Sequence, residues 1–197
     1  MAYFETERLI CRSLALHEYE IFENGNEPAW QDFSNPFRHL IEGPNPLKFR
    51  IPRVKAEPDF AEIGLVLAIS KAERILVGSA GFHDFPDQNG MIEIGFGIVP
   101  ERQNTGFGRE LLSGMWKMIS SREDVKILRY TVSPDNKPSL HIIKKLGFIH
   151  KGEQVDEEDG VELIFEEEAK VWLEKQESKR EITRSFLSAD KFHPWRE

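Results

Sequence analysis

Gly106 and Gly108 stand among the donors Gln103, Asn104, Thr105 and Arg109 in the stretch PERQNTGFGRELL, Pro100 to Leu112. An apolar run, MIEIGFGIV, precedes this polar turn, and a segment of helical period follows it. The first N–H groups of a helix have no partner inside it and lie at the positive end of its dipole, so such a turn is suited to hold an anion. Two glycines remove side chains that would keep a diphosphate away from those groups. Spacing discriminates among phosphate loops. A Walker loop needs Gly-Lys-Ser/Thr, which is missing, and G-x-G-x-x-G would need glycine where Leu111 stands. What remains is Gln103-x-x-Gly106-x-Gly108.

A second candidate lies just upstream. Strand alternation places Ile92, Ile94, Phe96 and Ile98 on one face and Glu93, Gly95 and Gly97 on the other, so one carboxylate borders a trough where two side chains are missing. Farther on, SPDNKPSLHIIKKLGF offers Asn136 and Ser139 at the start of a helix, where each is suited to cap the helix as well as to touch a ligand. The histidines 17, 39, 83, 141, 150 and 193 show no metal-ligand spacing, and no metal is expected. Arg38, Lys48, Arg50, Arg53 and Lys55 lie in a proline-rich segment and read as a solvated loop in preference to a phosphate contact.

These residues need elements to position them. ETERLICRSL reads as a strand and LHEYEIFENG as a helix; residues 34–60, with five prolines, read as irregular chain around a short helix. EIGLVLAIS and ILVGSAGFHD follow as strands, and DQNG turns the chain into the strand carrying Glu93. From Gly106 the period lengthens, with Phe107, Leu111, Met115, Met118 and Ile119 on one helical face. VKILRYTV is a strand, and SLHIIKKL a helix stopped by Gly147. GEQV and GVELIF are short strands joined by DEED, and a helix around EEAKVWLEKQ follows. The expectation is an α/β chain with one domain over 1–178 and a tail over 179–197. The tail, with Phe186, Phe192 and Trp195, is equally suited to disorder and to packing on the core or on a second copy in a homodimer.

Composition narrows the functional class. The 197 residues carry a net charge of −8, which argues against broad binding to nucleic acid or anionic membrane. Twelve acidic and five basic residues fall between His150 and Glu181; they form a solvated face or an acidic rim that attracts a cationic substrate. No apolar stretch approaches the roughly 18 residues of a membrane span, no secretory signal is visible at the N-terminus, and Cys11 has no cysteine to pair with. A reducing, cytoplasmic setting is the expectation.

Several segments together resemble one family. Gln103-x-x-Gly106-x-Gly108 matches the Q/R-x-x-G-x-G/A pyrophosphate loop of the GCN5-related N-acetyltransferases (GNAT). FETERLICRSL, MIEIGFGIVPERQNTGFGRELL and the order Asn136, Ser139, Lys145, Leu146, Gly147, Phe148 resemble the ribosomal-protein N-terminal acetyltransferase (RimJ/RimL-like) branch. The resemblance spans most of Phe4 to Phe148. It implies a mixed, mostly antiparallel sheet, splayed to admit the pantetheine arm and flanked by helices. It implies acetyl-CoA as co-substrate, held by Ile98, Val99, Gln103, Asn104, Thr105, Gly106, Phe107, Gly108, Arg109, Asn136, Ser139 and Lys145. A backbone N–H near Ile98 or Val99, at a bulge, would polarise the thioester carbonyl.

On that reading the acetyl group passes to a primary amine by direct attack in a ternary complex. A lysine-like amine is neutral to only about one part in a thousand near pH 7, a cost of about 4 kcal/mol, whereas an α-amine pays under roughly 1 kcal/mol. Glu93, directly or through a water, is the expected base. Its alternative is a structural carboxylate. Ser139 is the expected hydroxyl for the departing sulfur, because the position at which another branch carries a tyrosine is Ile143. The acceptor is a protein N-terminal amine or a small-molecule amine. Two other readings stand beside this one: an acyl-CoA-binding protein of sensor or structural role with little turnover, and an unrelated nucleotide-binding α/β protein.

Overall fold

The computed structural model describes residues 2–43, 45–156 and 160–178. Eight strands form one sheet: β1 (Tyr3–Glu5), β2 (Leu9–Ser13), β3 (Val66–Ser70), β4 (Leu76–Phe82), β5 (Met91–Ile98), β6 (Ile127–Val132), β7 (Ile149–Asp156) and β8 (Gly160–Glu168), in the order β1-β2-β3-β4-β5-β6-β8-β7. Every neighbouring pair is antiparallel except β5 and β6. A parallel pair needs a long crossover, and here it contains α4 (Phe107–Ile119).

The segment read as one opening strand is a hairpin. Thr6 N–H donates to the Leu9 carbonyl at 3.0 Å and closes a tight turn between β1 and β2. β2 then alternates, with Leu9, Cys11 and Ser13 buried. β3 and β4 are buried at every position, as central strands covered on both faces must be. The turn before β5 follows its sequence signal: Asp87 Oδ1 accepts from Asn89 N–H at 2.8 Å and from Met91 N–H at 2.9 Å.

Residues 34–60 hold more helix than their prolines suggest. α1 (Leu16–Glu23) is followed by α2 (Leu47–Ala56), which runs through Pro52, and a single turn leads into α3 (Ala61–Gly64). Arg50 of α2 is buried, with Nε donating to the Gly64 carbonyl at 3.0 Å, and Arg53 is held by Asp84 at 2.7 Å and by Glu57 at 2.6 Å. The reading of these arginines as a solvated loop is thereby corrected: α2 needs them as anchors. At the other end of this layer Glu18 is buried, accepting from both terminal nitrogens of Arg12 at 2.8 Å and from Ala15 N–H at 2.7 Å.

The opposite face of the sheet carries α4 and α5 (Lys137–Leu146). Leu111, Leu112, Met115, Trp116 and Ile119 bury the inner side of α4, where the Trp116 ring stacks on Phe148 at 5.5 Å. A last helix, α6, spans 169–178. No helix among the described residues is long and apolar enough to cross a membrane. The tail over 179–197, with Phe186, Phe192 and Trp195, lies outside the described residues.

Candidate active site

β5 and β6 are paired only through Met91, Ile92 and Glu93, opposite Ile127, Leu128 and Arg129. Beyond Glu93 the two strands part. β5 goes on beside β4, from Ile94↔Phe82 to Ile98↔Gly78, while β6 stays beside β8. The ladder to β4 shows which backbone groups face the gap. His83 N–H donates to the Glu93 carbonyl and Val99 N–H to the Val77 carbonyl, at 2.9 and 3.0 Å. In an antiparallel ladder such pairs alternate, so residues 93, 95, 97 and 99 address β4, while Phe96 and Ile98 turn their N–H and C=O the other way, into the gap. Val99 is therefore corrected as a donor, because Val77 already holds its N–H. Pairing is continuous from Ile94 to Ile98, so the expected bulge does not occur. Ile98 is the residue whose amide faces the opening.

The polar turn follows directly. Gln103 Nε2 folds back onto the Ile98 carbonyl at 3.0 Å, and Thr105 Oγ1 donates to the Arg102 carbonyl at 2.6 Å. Asn104 and Gly106 take positive φ, 59° and 88°, so that the chain can turn into α4. The first intrahelical bond is Glu110 N–H to the Gly106 carbonyl, at 3.1 Å. The amides of Phe107, Gly108 and Arg109 precede it and have no partner inside the helix. These orphan donors, with exposed Arg109 beside them, fit a diphosphate. Gly108 has a second reason to be glycine: a Cβ there would lie 3.0 Å from Phe96 and 3.3 Å from Ile142. Lys145 is exposed on α5, three residues after Ile142 and thus on the same side of that helix.

Sequence reasoning assigned Arg8 no role, yet it braces this turn. Its Nε donates to Glu110 Oε2 at 2.7 Å, one terminal nitrogen donates to the Thr105 carbonyl at 2.9 Å, and the guanidinium covers the Phe107 ring at 4.5 Å. Burial opposes the charge on Glu110, but bonds from Thr6 and Arg8 outweigh it and hold its pKa down. The carboxylate inside the first turn of α4 is thus neutralised locally, leaving the helix end to an anion from outside.

Glu93, Gly95 and Gly97 lie on the face away from α4, as the alternation requires. The Glu93 side chain is 17% exposed. Thr131 Oγ1 donates to Glu93 Oε1 at 2.6 Å, and His83 Nδ1 lies 3.4 Å from the same oxygen. The trough is partly filled. The His83 ring runs along Gly95, whose Cβ would stand 3.0 Å from Nε2, whereas a Cβ on Gly97 would meet nothing within 4 Å. Burial and the Arg50 charge push the His83 pKa down to about 4, so that ring is neutral near pH 7. Beside Gly97, buried Ser79 bonds His39 Nε2 at 2.8 Å, and burial holds this second imidazole neutral as well, with a pKa of about 4. The ladder sets His83 opposite Glu93, but the turn itself is bracketed by Asp87 and Met91, and the bends at residues 83–85 shift the register between the two, so this contact could not be counted from the Asp-Gln-Asn-Gly signal.

Asn136 takes the capping role: its Oδ1 accepts from Ser139 N–H at 3.2 Å. Burial pushes the pKa of the Tyr130 phenol up to about 12, with Ser139 near enough to oppose the shift. Tyr130 and Phe96 face each other from the two banks of the gap, with ring centroids 5.8 Å apart. Among the described residues no group of three or more His, Cys, Asp or Glu could hold a metal ion.

Comparisons with known proteins agree with this geometry. Residues 8–149 match the family described as "Acetyltransferase (GNAT) domain". The chain is 31% identical over 154 residues to the uncharacterized N-acetyltransferase YoaA of Bacillus subtilis, covering 75% of this chain and 83% of that one. A shorter match, 35% over 83 residues, spans 42% of this chain and about half (49%) of B. subtilis YjdG, also an uncharacterized N-acetyltransferase. In fold the chain is similar to the ribosomal-protein-S5-alanine acetyltransferase of Vibrio fischeri, with TM-score 0.62, 15% identity, and 87% of this chain and 99% of that one covered. A spermidine N-acetyltransferase chimera from Vibrio cholerae and hSSAT gives 0.61 at 15% identity, covering 85% and 99%. A wedge opening at Glu93, orphan amides on the glycine turn and these matches lead to one conclusion: the chain belongs to the GNAT family of N-acetyltransferases.

Proposed function

We propose that the chain transfers the acetyl group of acetyl-CoA to a primary amine by direct attack, within a complex holding both substrates. The observation that carries this reading is the parting of β5 and β6 immediately beyond Glu93, in line with the orphan amides of α4. The amides of Phe107, Gly108 and Arg109 hold the diphosphate, Asn104, Thr105 and Lys145 border it, and the pantetheine arm enters the gap. Its amide groups meet the Phe96 backbone and the Ile98 N–H, much as a strand would, while Gln103 holds the Ile98 carbonyl. The Ile98 N–H polarises the thioester carbonyl.

The acceptor approaches from the other face, over Gly97. Its nitrogen attacks the carbonyl carbon, the N–C bond forms, the C–S bond breaks, and Glu93 takes the proton from nitrogen. The CoA thiolate leaves with the C–S electron pair, and the Ser139 hydroxyl donates a hydrogen bond to it. Burial raises the Glu162 pKa, and the carboxylates of Glu93 and Asp156 raise it further; this acidic grouping supports an acceptor that arrives as a cation. The test is a mass-spectrometric screen for acetylated products, using acetyl-CoA with spermidine, an aminoglycoside and peptides of varied N-terminus. An acetylated amine with stoichiometric CoA release is the expected outcome; tight acetyl-CoA binding with no product in any class sinks the reading.

A further inference from the structure

The acceptor face holds a polar pair that the proposed transfer leaves idle. Ser79 is opposite Gly97 in the β4–β5 ladder, so the two share a face, and the His39 ring meets Ser79 there with Nε2 2.8 Å from Oγ. The loop that delivers this ring is strained. Arg38 and Leu40, on either side of His39, have φ of 50° and 68°, a region that suits glycine and disfavours a bulky side chain. Asn35 holds the loop in that shape: its Oδ1 accepts from His39 N–H at 2.9 Å and its Nδ2 donates to the His39 carbonyl at 3.0 Å. Ser34 fastens the loop to the start of β4, where its carbonyl accepts from Leu76 N–H at 2.8 Å. Strain and tethers together fix an imidazole against a serine.

Hydrogen counting gives the pair a direction. Burial keeps the His39 ring neutral at pH 7, so one ring nitrogen carries a hydrogen and the other only a lone pair. Ser79 is 4% exposed, and a buried hydroxyl hydrogen needs an acceptor. Among the described residues that acceptor is His39 Nε2. Ser79 therefore donates, Nε2 is the bare nitrogen, and the Ser79 Oγ lone pairs are left without a donor among the described residues. They border an open place: Gly97 is exposed, and a Cβ on it would meet nothing within 4 Å. Cβ positions directly opposite each other in a ladder stand about 5 Å apart, so an atom seated where Gly97 has no side chain comes within hydrogen-bond reach of Ser79 Oγ.

We propose that Ser79 is the hydrogen-bond acceptor that orients the attacking nitrogen, and that His39 is the positioning residue that turns the serine lone pairs toward it. A primary amine seated over Gly97 donates one N–H to Ser79 Oγ. β4 and the gap lie on opposite sides of β5, so an N–H pointed at Ser79 leaves the nitrogen lone pair free to face the thioester carbon beside Ile98. Ser79 takes no proton; that role stays with Glu93. The placement of the amine rests on the acetyl-transfer reading above, whereas the direction of the Ser79–His39 bond does not.

The test has two arms. Imidazole-nitrogen NMR of the full chain at pH 7 without acetyl-CoA should find His39 with its hydrogen on Nδ1 and none on Nε2. In acetyl transfer to a primary amine, Ser79→Ala should lower kcat about 10- to 100-fold at unchanged KM for acetyl-CoA. His39→Phe keeps a ring against the serine but offers it no acceptor; it should lose as much, because the freed hydroxyl hydrogen then caps the nitrogen lone pair. His39→Gln, whose side-chain oxygen offers an acceptor near the place of Nε2, should recover most of the rate. Ser79→Ala combined with His39→Phe should lose no more than either alone. A pair that only fastens the loop would lower the urea midpoint and leave kcat in place. The proposal is overturned if Nε2 carries the hydrogen, if Ser79→Ala keeps the wild-type kcat, or if His39→Phe and His39→Gln have the same kcat. The spectrum reads the pair whether or not the chain acetylates amines, so failure of the proposed activity and failure of this inference are separate results.

Discussion

The His83 imidazole lies where a side chain on residue 95 would stand, with Nδ1 3.4 Å from Glu93 Oε1 and Nε2 3.0 Å from the site of a Gly95 Cβ. The vacancy at Gly95 is therefore what lets a neutral ring rest beside the carboxylate. Gly95→Ala should push the ring aside by a few tenths of an ångström. Stability is expected to change by less than about 1 kcal/mol, while kcat falls several-fold. In a double-mutant cycle the loss should not add to that of His83→Ala, since both remove the same contact.

Glu93→Gln keeps the Thr131 bond and removes the proposed base. It should lower kcat/KM by roughly 10²- to 10⁴-fold, with a smaller loss for an α-amine acceptor than for a lysine-like amine, which has more proton to shed at pH 7. Thiol release measured across pH with both acceptors checks this. A variant as active as the wild type would show that Glu93 is a structural carboxylate.

Arg8 and Gly108 divide the two duties of the glycine turn. Arg8→Ala removes the brace on the Thr105 carbonyl and the Phe107 ring, so the KM for acetyl-CoA should rise with kcat little changed. Gly108→Ala places a methyl against Phe96 and Ile142 in a closed contact. Overpacking of this kind costs about 1–3 kcal/mol, which a urea midpoint will report separately from the cofactor affinity.

Acid should destabilise the protein through His39 and Glu18. Burial lowers the folded-state pKa of His39 to about 4 from 6.5. The unfolded chain binds the proton more readily, so this stability is complete above about pH 6.5 and is lost as pH falls toward 4, amounting to roughly 3 kcal/mol. Burial opposes ionisation of Glu18, but its bonds from Arg12, Ala15 and Trp30 prevail and hold its pKa down. Its contribution is present above the ordinary glutamate value and disappears as pH falls through the lowered one. Urea midpoints at pH 7 and 4.5 should differ by more in the wild type than in His39→Gln.

Periodicity and turn chemistry placed Glu93 on the face opposite Ile92 and Ile94, started α4 at the glycine turn and stopped α5 at Gly147, because each is a local property of a few consecutive residues. Contacts between distant strands were not legible in that way. Thr131 and Glu162 come to the face of Glu93 only through the order β5-β6-β8-β7, which places β8 inside β7. Arg8 reaches Thr105 and Glu110 from a turn between β1 and β2 that reading ETERLICRSL as a single strand concealed. Val99 shows a subtler loss: alternation is visible in a sequence, but which half of it faces β4 is known only once Val77 is seen to take the Val99 hydrogen. The segment of α2 read as irregular because prolines forbid donors, whereas burial of Arg50 and Val54 outweighs the one bond that Pro52 removes.

The three-residue pairing of β5 with β6 gives the protein a pair of raw sheet margins in its own interior, and such margins invite foreign chains to add themselves. The taper guards against this. An intruding strand would need about 10 Å between its two neighbours, twice the normal strand spacing, and at Glu93 the neighbours still stand at bonding distance. Only something slender, lined with amides and free of side chains can reach the apex, so the same narrowing that suits the proposed pantetheine arm also shields the molecule from polymerising with its copies.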